Sequence, residues 1–98
     1  MKDLKDYGHI HIDGEDEEYG TVMITVFEEK NKHKVEDDWG DITGEAHKII
    51  GEFDSAFEAV KFGINTIRLK YPQCQIWHGA GQAPKEWIDK ILEDKPII

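Results

Sequence analysis

The run "HIHIDG" places His9, His11 and Asp13 at alternate positions. Successive side chains of an extended strand point to opposite faces, so these three share one face. Two imidazoles and a carboxylate in that arrangement could hold a cation for a small metal-dependent hydrolase, with His47 or His78 as remote ligands. The competing reading is a solvated polar strand face. Other chemical signals are weaker. The acidic "DGEDEEYG" lacks the Asp-x-Asp-x-Asp-Gly spacing that wraps calcium. "HGAGQAP" has glycines but not the full pattern of a phosphate loop, and reads as a loop before a helix. Cys74 is the lone cysteine, without a zinc-ligand companion or an activating base beside it, and is expected to be a small packing thiol. No nucleophile, base and orienting group can be assembled by spacing, so no catalytic residue, resident metal or cofactor is expected.

What the chain has in abundance is carboxylate. Asp13, Glu15, Asp16, Glu17 and Glu18 fall within six residues, and Glu36, Asp37, Asp38 and Asp41 surround Trp39. The formal net charge is -9, from 21 Asp and Glu against 12 Lys and Arg. Residues 1–58 hold 17 of these acids and 6 bases, a net -11, whereas residues 59–98 hold 4 acids and 6 bases, a net +2. Such a field repels phosphate backbones and anionic lipid and steers in a basic protein, so direct nucleic-acid or membrane binding is not expected. An aromatic ring set among acids is what a protein-binding hot spot requires, which makes Trp39 the apolar anchor of a partner surface. Core packing is the alternative for Trp39, and solubility the alternative for the charge.

The elements that must position these groups follow from periodicity. With 98 residues the chain is expected to form one domain, 1–98. Ile10 and Ile12 alternate with His9, His11 and Asp13; Val22, Ile24 and Val26 alternate with Met23, Thr25 and Phe27. These two strands are expected to pair as an antiparallel hairpin whose loop is the acidic stretch, with Gly14 and Gly20 as punctuation. A turn is expected at Asn31 and Lys32, followed by one or two strands broken near Gly40 to Gly44, with Val35, Asp37 and Trp39 on one alternating set. Phe57, Val60, Ile64, Ile67 and Tyr71 then fall at helical spacing, with Ser55 and Glu58 as a capping box and Pro72 as a stop. Gly63 inside that helix costs about 1 kcal/mol relative to Ala, tolerable where helix and sheet backbones approach closely. "QCQIWHG" reads as a short strand. A last helix is expected to begin at Pro84, with Trp87, Ile88, Ile91 and Leu92 on one face and Pro96 beyond its end. The order gives an α+β fold, an antiparallel sheet of about four to five strands with two helices packed on one face. No apolar run is long enough to span a membrane, and "MKDLKDYGHI" has no apolar leader region, so the cytoplasm is the expected compartment.

Two resemblances bear on function. "HIHIDG" looks like the first strand of ribonuclease H-like folds, with Asp13 as one catalytic carboxylate and Glu58 as a second, but His78 and Gly79 stand where a third would follow the later strand. The segment "IIGEFDSAFEAVKFGINTIRLKYP" resembles the strand-to-helix junction of HicB-type antitoxins at Gly51, Ser55, Glu58 and Ala59, although the tyrosine-rich, proline-containing strand of that family is absent. HicB-type proteins resemble a partial ribonuclease H fold without its activity. The profile of a small, acidic α+β domain without catalytic motifs also resembles the immunity proteins that protect bacteria from polymorphic or contact-dependent inhibition toxins. The resemblance implies a non-enzymatic monomer or weak homodimer that binds a basic toxin domain, a nuclease by preference, with Asp13 to Glu18, Glu36, Asp37, Asp38 and Asp41 standing where phosphates would go. A HicB-like antitoxin and the His9, His11 and Asp13 hydrolase are the alternatives.

Overall fold

The computed structural model describes residues 9–96; most of the segment "MKDLKDYGHI", on which the expected compartment rests, lies outside them, as do residues 97 and 98. Five strands form one antiparallel sheet: β1 (His9–Asp16), β2 (Gly20–Glu29), β3 (Lys32–Asp37), β4 (Lys48–Phe53) and β5 (Gln75–Ile76). Helices α1 (Ala56–Lys70) and α2 (Lys85–Leu92) complete an α+β fold in the expected order. The strands lie in the order β4-β3-β2-β1-β5. Consecutive hairpins therefore build four strands, and α1 carries the chain from one edge of the sheet to the other. Among the described residues, no helix is long and apolar enough to cross a membrane.

Alternation sets the two faces of the sheet. Ile10, Ile12, Val22, Ile24, Val26 and Val35 are all buried, and they meet Ala59, Val60, Ile64 and Ile67 of α1 in one contiguous core. Burying such side chains contributes about 1.5–3 kcal/mol each, which is what holds a 15-residue helix onto the sheet. The Ser55 side chain caps α1 by accepting the Glu58 N–H, and Tyr71, immediately before Pro72, closes it with a bond to the Ile67 carbonyl. Gly63 faces the sheet: a Cβ there would stand 2.7 Å from Ile12 Cδ1. The missing side chain is what lets α1 lie this low. Helix α2 buries Trp87, Ile88 and Ile91 beside α1, while Leu92 is exposed. Arg68 of α1 donates to the Ile91 and Asp94 carbonyls and so ties the two helices together.

Three boundaries differ from the expectations. β1 continues through Asp16, which pairs with Gly20, so the acidic stretch is mostly strand and only residues 17–19 turn. Carboxylates alone do not end a strand when its backbone has partners on both sides, and here Trp77 and Gln82 also bond the Asp13 backbone. The next turn is Lys30 and Asn31, one residue earlier than expected, and both have positive φ (52° and 65°), as a two-residue type I′ hairpin requires. Pro84 caps α2 in an extended conformation and does not occupy its first turn.

Candidate functional site

The β1–β2 turn, the 38–47 loop and the C-terminal end of α1 meet at one end of the sheet. Their meeting point is Tyr19. Its hydroxyl donates to Asp41 Oδ1 at 2.6 Å, and its ring lies 4.6 Å from that of Tyr71, whose hydroxyl donates to the Asp41 carbonyl at 3.0 Å. The bond to Asp41, followed by that to Tyr71, raises the Tyr19 phenol well above its ordinary pKa and keeps it a donor. Around the two rings lies a cleft of about 530 Å³ lined by Asp16, Glu17, Glu18 and Lys70 among others. Glu15, Glu17 and Glu18 are exposed, and Trp39 projects from the neighbouring loop with 56% of its surface accessible. Asp16 is half-buried, its Oδ1 accepting the Glu18 and Tyr19 N–H groups and so shaping the turn. An exposed acidic rim with aromatic groups beside it can accept cationic side chains by ion pairing and cation–π contact; Lys70 already stands 5.8 Å over the Tyr71 ring.

Four of the carboxylates assigned from the sequence to an exposed surface are buried. Asp37 has no accessible surface: its Oδ2 accepts the Ile42 and Thr43 N–H groups and the Thr43 hydroxyl, pinning the loop from inside. Asp41 Oδ2 accepts the Met23 N–H at 3.4 Å in addition to the Tyr19 bond. Asp13 is held by Gln82, which donates to its Oδ2 at 2.7 Å. Asp38 accepts the Thr25 hydroxyl and is 8% accessible. These groups satisfy loop and strand donors, the use to which buried carboxylates are usually put. Trp39, in contrast, is outside the core, while Trp87 is within it.

The sheet face opposite the helices carries a polar row. His11 Nδ1 bonds Thr25 Oγ1 at 3.2 Å, Thr25 donates to Asp38, the Asp38 and Glu36 carboxylates approach within 4.8 Å, and Glu36 Oε2 meets His47 Nδ1 at 3.1 Å. Burial chiefly, then Glu36, pushes the Asp38 carboxyl up to about 6 against the opposing Thr25 bond; Asp38 first and then His47 hold Glu36 below the usual carboxylate range. His9, His11 and Asp13 are not brought together as ligands: His11 turns to Thr25, Asp13 to Gln82, and His9 stacks edge-on against His11. Among the described residues, Glu36, Asp38 and His47 are the group whose ligand atoms come within 4.8 Å of one another. Glu36 and Asp38 are an i, i+2 pair visible in the sequence, but His47 reaches them across a loop. Cys74 is half-buried over Gly14, where a Cβ would collide with its Sγ, and burial first, then Asp16 and Glu15, raises the thiol to about 11. That is the environment of a packing thiol and not of a nucleophile.

No protein-family model, curated protein or solved structure matches the chain.

Proposed function

We propose that this protein is an immunity-type inhibitor, which binds a basic toxin domain through the acidic end of its sheet and occludes the toxin's active site or substrate groove. The observation that carries this reading is the exposed set of Glu15, Glu17 and Glu18 beside the Tyr19 and Tyr71 cleft, with Trp39 projecting from the adjoining loop. Carboxylates placed there would meet the cationic groups with which a nuclease binds phosphate, and the mechanism is steric occlusion with electrostatic complementarity, without chemistry on the partner. The buried Asp13, Asp37, Asp38 and Asp41 serve this surface indirectly, by fixing the strands and loop that carry it.

The test is binding to a basic toxin domain encoded beside the gene, measured as association and dissociation rates over a salt series. Glu15, Glu17 and Glu18 changed together to lysine should slow association by about tenfold or more and flatten its salt dependence, since exposed charges act mainly through steering. Asp16 is left in place because it shapes the turn. Trp39→Ala should accelerate dissociation and remove protection of cells carrying the toxin. Unchanged rates and protection in both variants would assign the charge to solubility and move the binding surface elsewhere.

A further inference from the structure

We infer that Glu36, Asp38 and His47 form a site for one divalent first-row transition ion on the sheet face opposite the helices. One carboxylate oxygen from each acid and one imidazole nitrogen already lie within 4.8 Å of one another. Ligands bound at about 2.0–2.2 Å around one ion sit about 3–4 Å apart, so closing the site needs only small side-chain rotations. The backbone supplies the framework. Glu36 and Asp38, two residues apart on an extended segment, project from the same face, while Asp37 between them points into the core. His47 is delivered by its own N–H, which bonds the Asp37 carbonyl at 2.8 Å and the Asp38 carbonyl at 3.2 Å.

Two further observations point to a cation. Asp38 is more than nine-tenths buried, yet among the described residues neither it nor Glu36 forms an ion pair with a lysine or arginine. A buried carboxylate next to a second one is ordinarily matched by a positive charge, and among the described residues the groups at hand are two imidazoles, His47 on Glu36 and His11 behind Thr25. Behind Asp38, Thr25 donates to its Oδ2 and is itself bonded to His11, the kind of outer support that orients ligating carboxylates. The donor set chooses the metal. One imidazole and two carboxylates suit zinc, manganese or iron, whereas calcium takes 6–8 oxygen ligands. Three protein ligands leave a coordination position for water or a further donor.

Isothermal titration of the chelator-stripped full chain with zinc sulfate and with manganese chloride tests the site, alongside histidine-selective ¹⁵N NMR. One ion per chain should bind, with the His47 ring nitrogens shifting and those of His9 and His78 unmoved. Asp38→Asn and His47→Asn should each weaken binding by about tenfold or more. Both are chosen to fold: Asn can still accept from Thr25, and Asn tolerates the positive φ of 64° at position 47, which circular dichroism and the melting temperature check. Absence of binding by the parent at 100-fold excess of either ion, or binding that survives both substitutions in folded protein, overturns the inference. So does a shift of the His9 or His78 ring in place of His47.

Discussion

Asp38 and Asp37 are adjacent acids that point to opposite faces of the sheet. Asp37 points into the core, where its Oδ2 takes three donors from Ile42 and Thr43; Asp38 points to the other face and has Glu36 for a neighbour. Since the native Asp38 carboxyl titrates near 6 and an unfolded one near 3.8, the folded state holds its proton to higher pH. Its contribution to stability is therefore complete below about pH 4 and lost as the pH rises through 6. Asp38→Asn removes the ionisation and should raise the stability of the metal-free protein at pH 7.5 by on the order of 1 kcal/mol, a figure reduced for screening at the partly open Glu36 side. The gain should vanish at pH 3.5. Urea unfolding at the two pH values measures this, and a variant less stable than the parent at pH 7.5 would mean that the Thr25 bond outweighs the repulsion.

At the scale of elements, Gly63 shows how closely α1 and the sheet are fitted. Ala is the better helix former by about 1 kcal/mol, but its Cβ would press on Ile12 Cδ1 inside a filled core, an overpacking cost of about 1–3 kcal/mol. Gly63→Ala should accordingly destabilise, and Ile12→Val, which removes the colliding methyl, should recover part of the loss when combined with it. Chemical denaturation of the two singles and the double gives the coupling, and strict additivity would show that the helix shifts away from β1 instead. The apolar periods make much of this packing legible in the residues themselves: β1, β2, β3 and both helices follow from them and Gly63 permits a close approach, whereas β4, which lacks alternation, stays optional in the sequence. The ends of elements were less legible, because they depend on partners distant in the chain. Glu15 and Asp16 look like loop residues until Gln75 and Gly20 are seen paired with them along β1. The burial of Asp37 had a signal, since it shares the alternating set of Val35, but its match with the Ile42 and Thr43 donors depends on how the loop folds back. The grouping of His47 with Glu36 and Asp38 had none.

In the whole molecule, the hydrogen-bonded order β4-β3-β2-β1-β5 makes β2 an inner strand and β4 an outer one. β2 also buries Val22, Ile24 and Val26 beneath α1, whereas β4 has no fully buried residue. Amide exchange in native buffer should therefore be slowest at Ile24 and Val26 and markedly faster through Lys48–Phe53, as local opening follows burial and edge position. Uniform protection across the four hairpin strands would indicate that the sheet opens only as a unit. The carboxylates divide in the same sense. Asp13, Asp37 and Asp41 belong to the scaffold and are buried, while Glu15, Glu17 and Glu18 stand on its rim. The consequence reaches into how such a chain can change. Because Asp37 grips Ile42 and Thr43 from within, the crest at Trp39 and Glu45 does not have to hold its own loop together. A library randomised at those two positions should remain mostly folded while sampling new surfaces, so selection could redirect the protein to a different partner without first having to repair the domain.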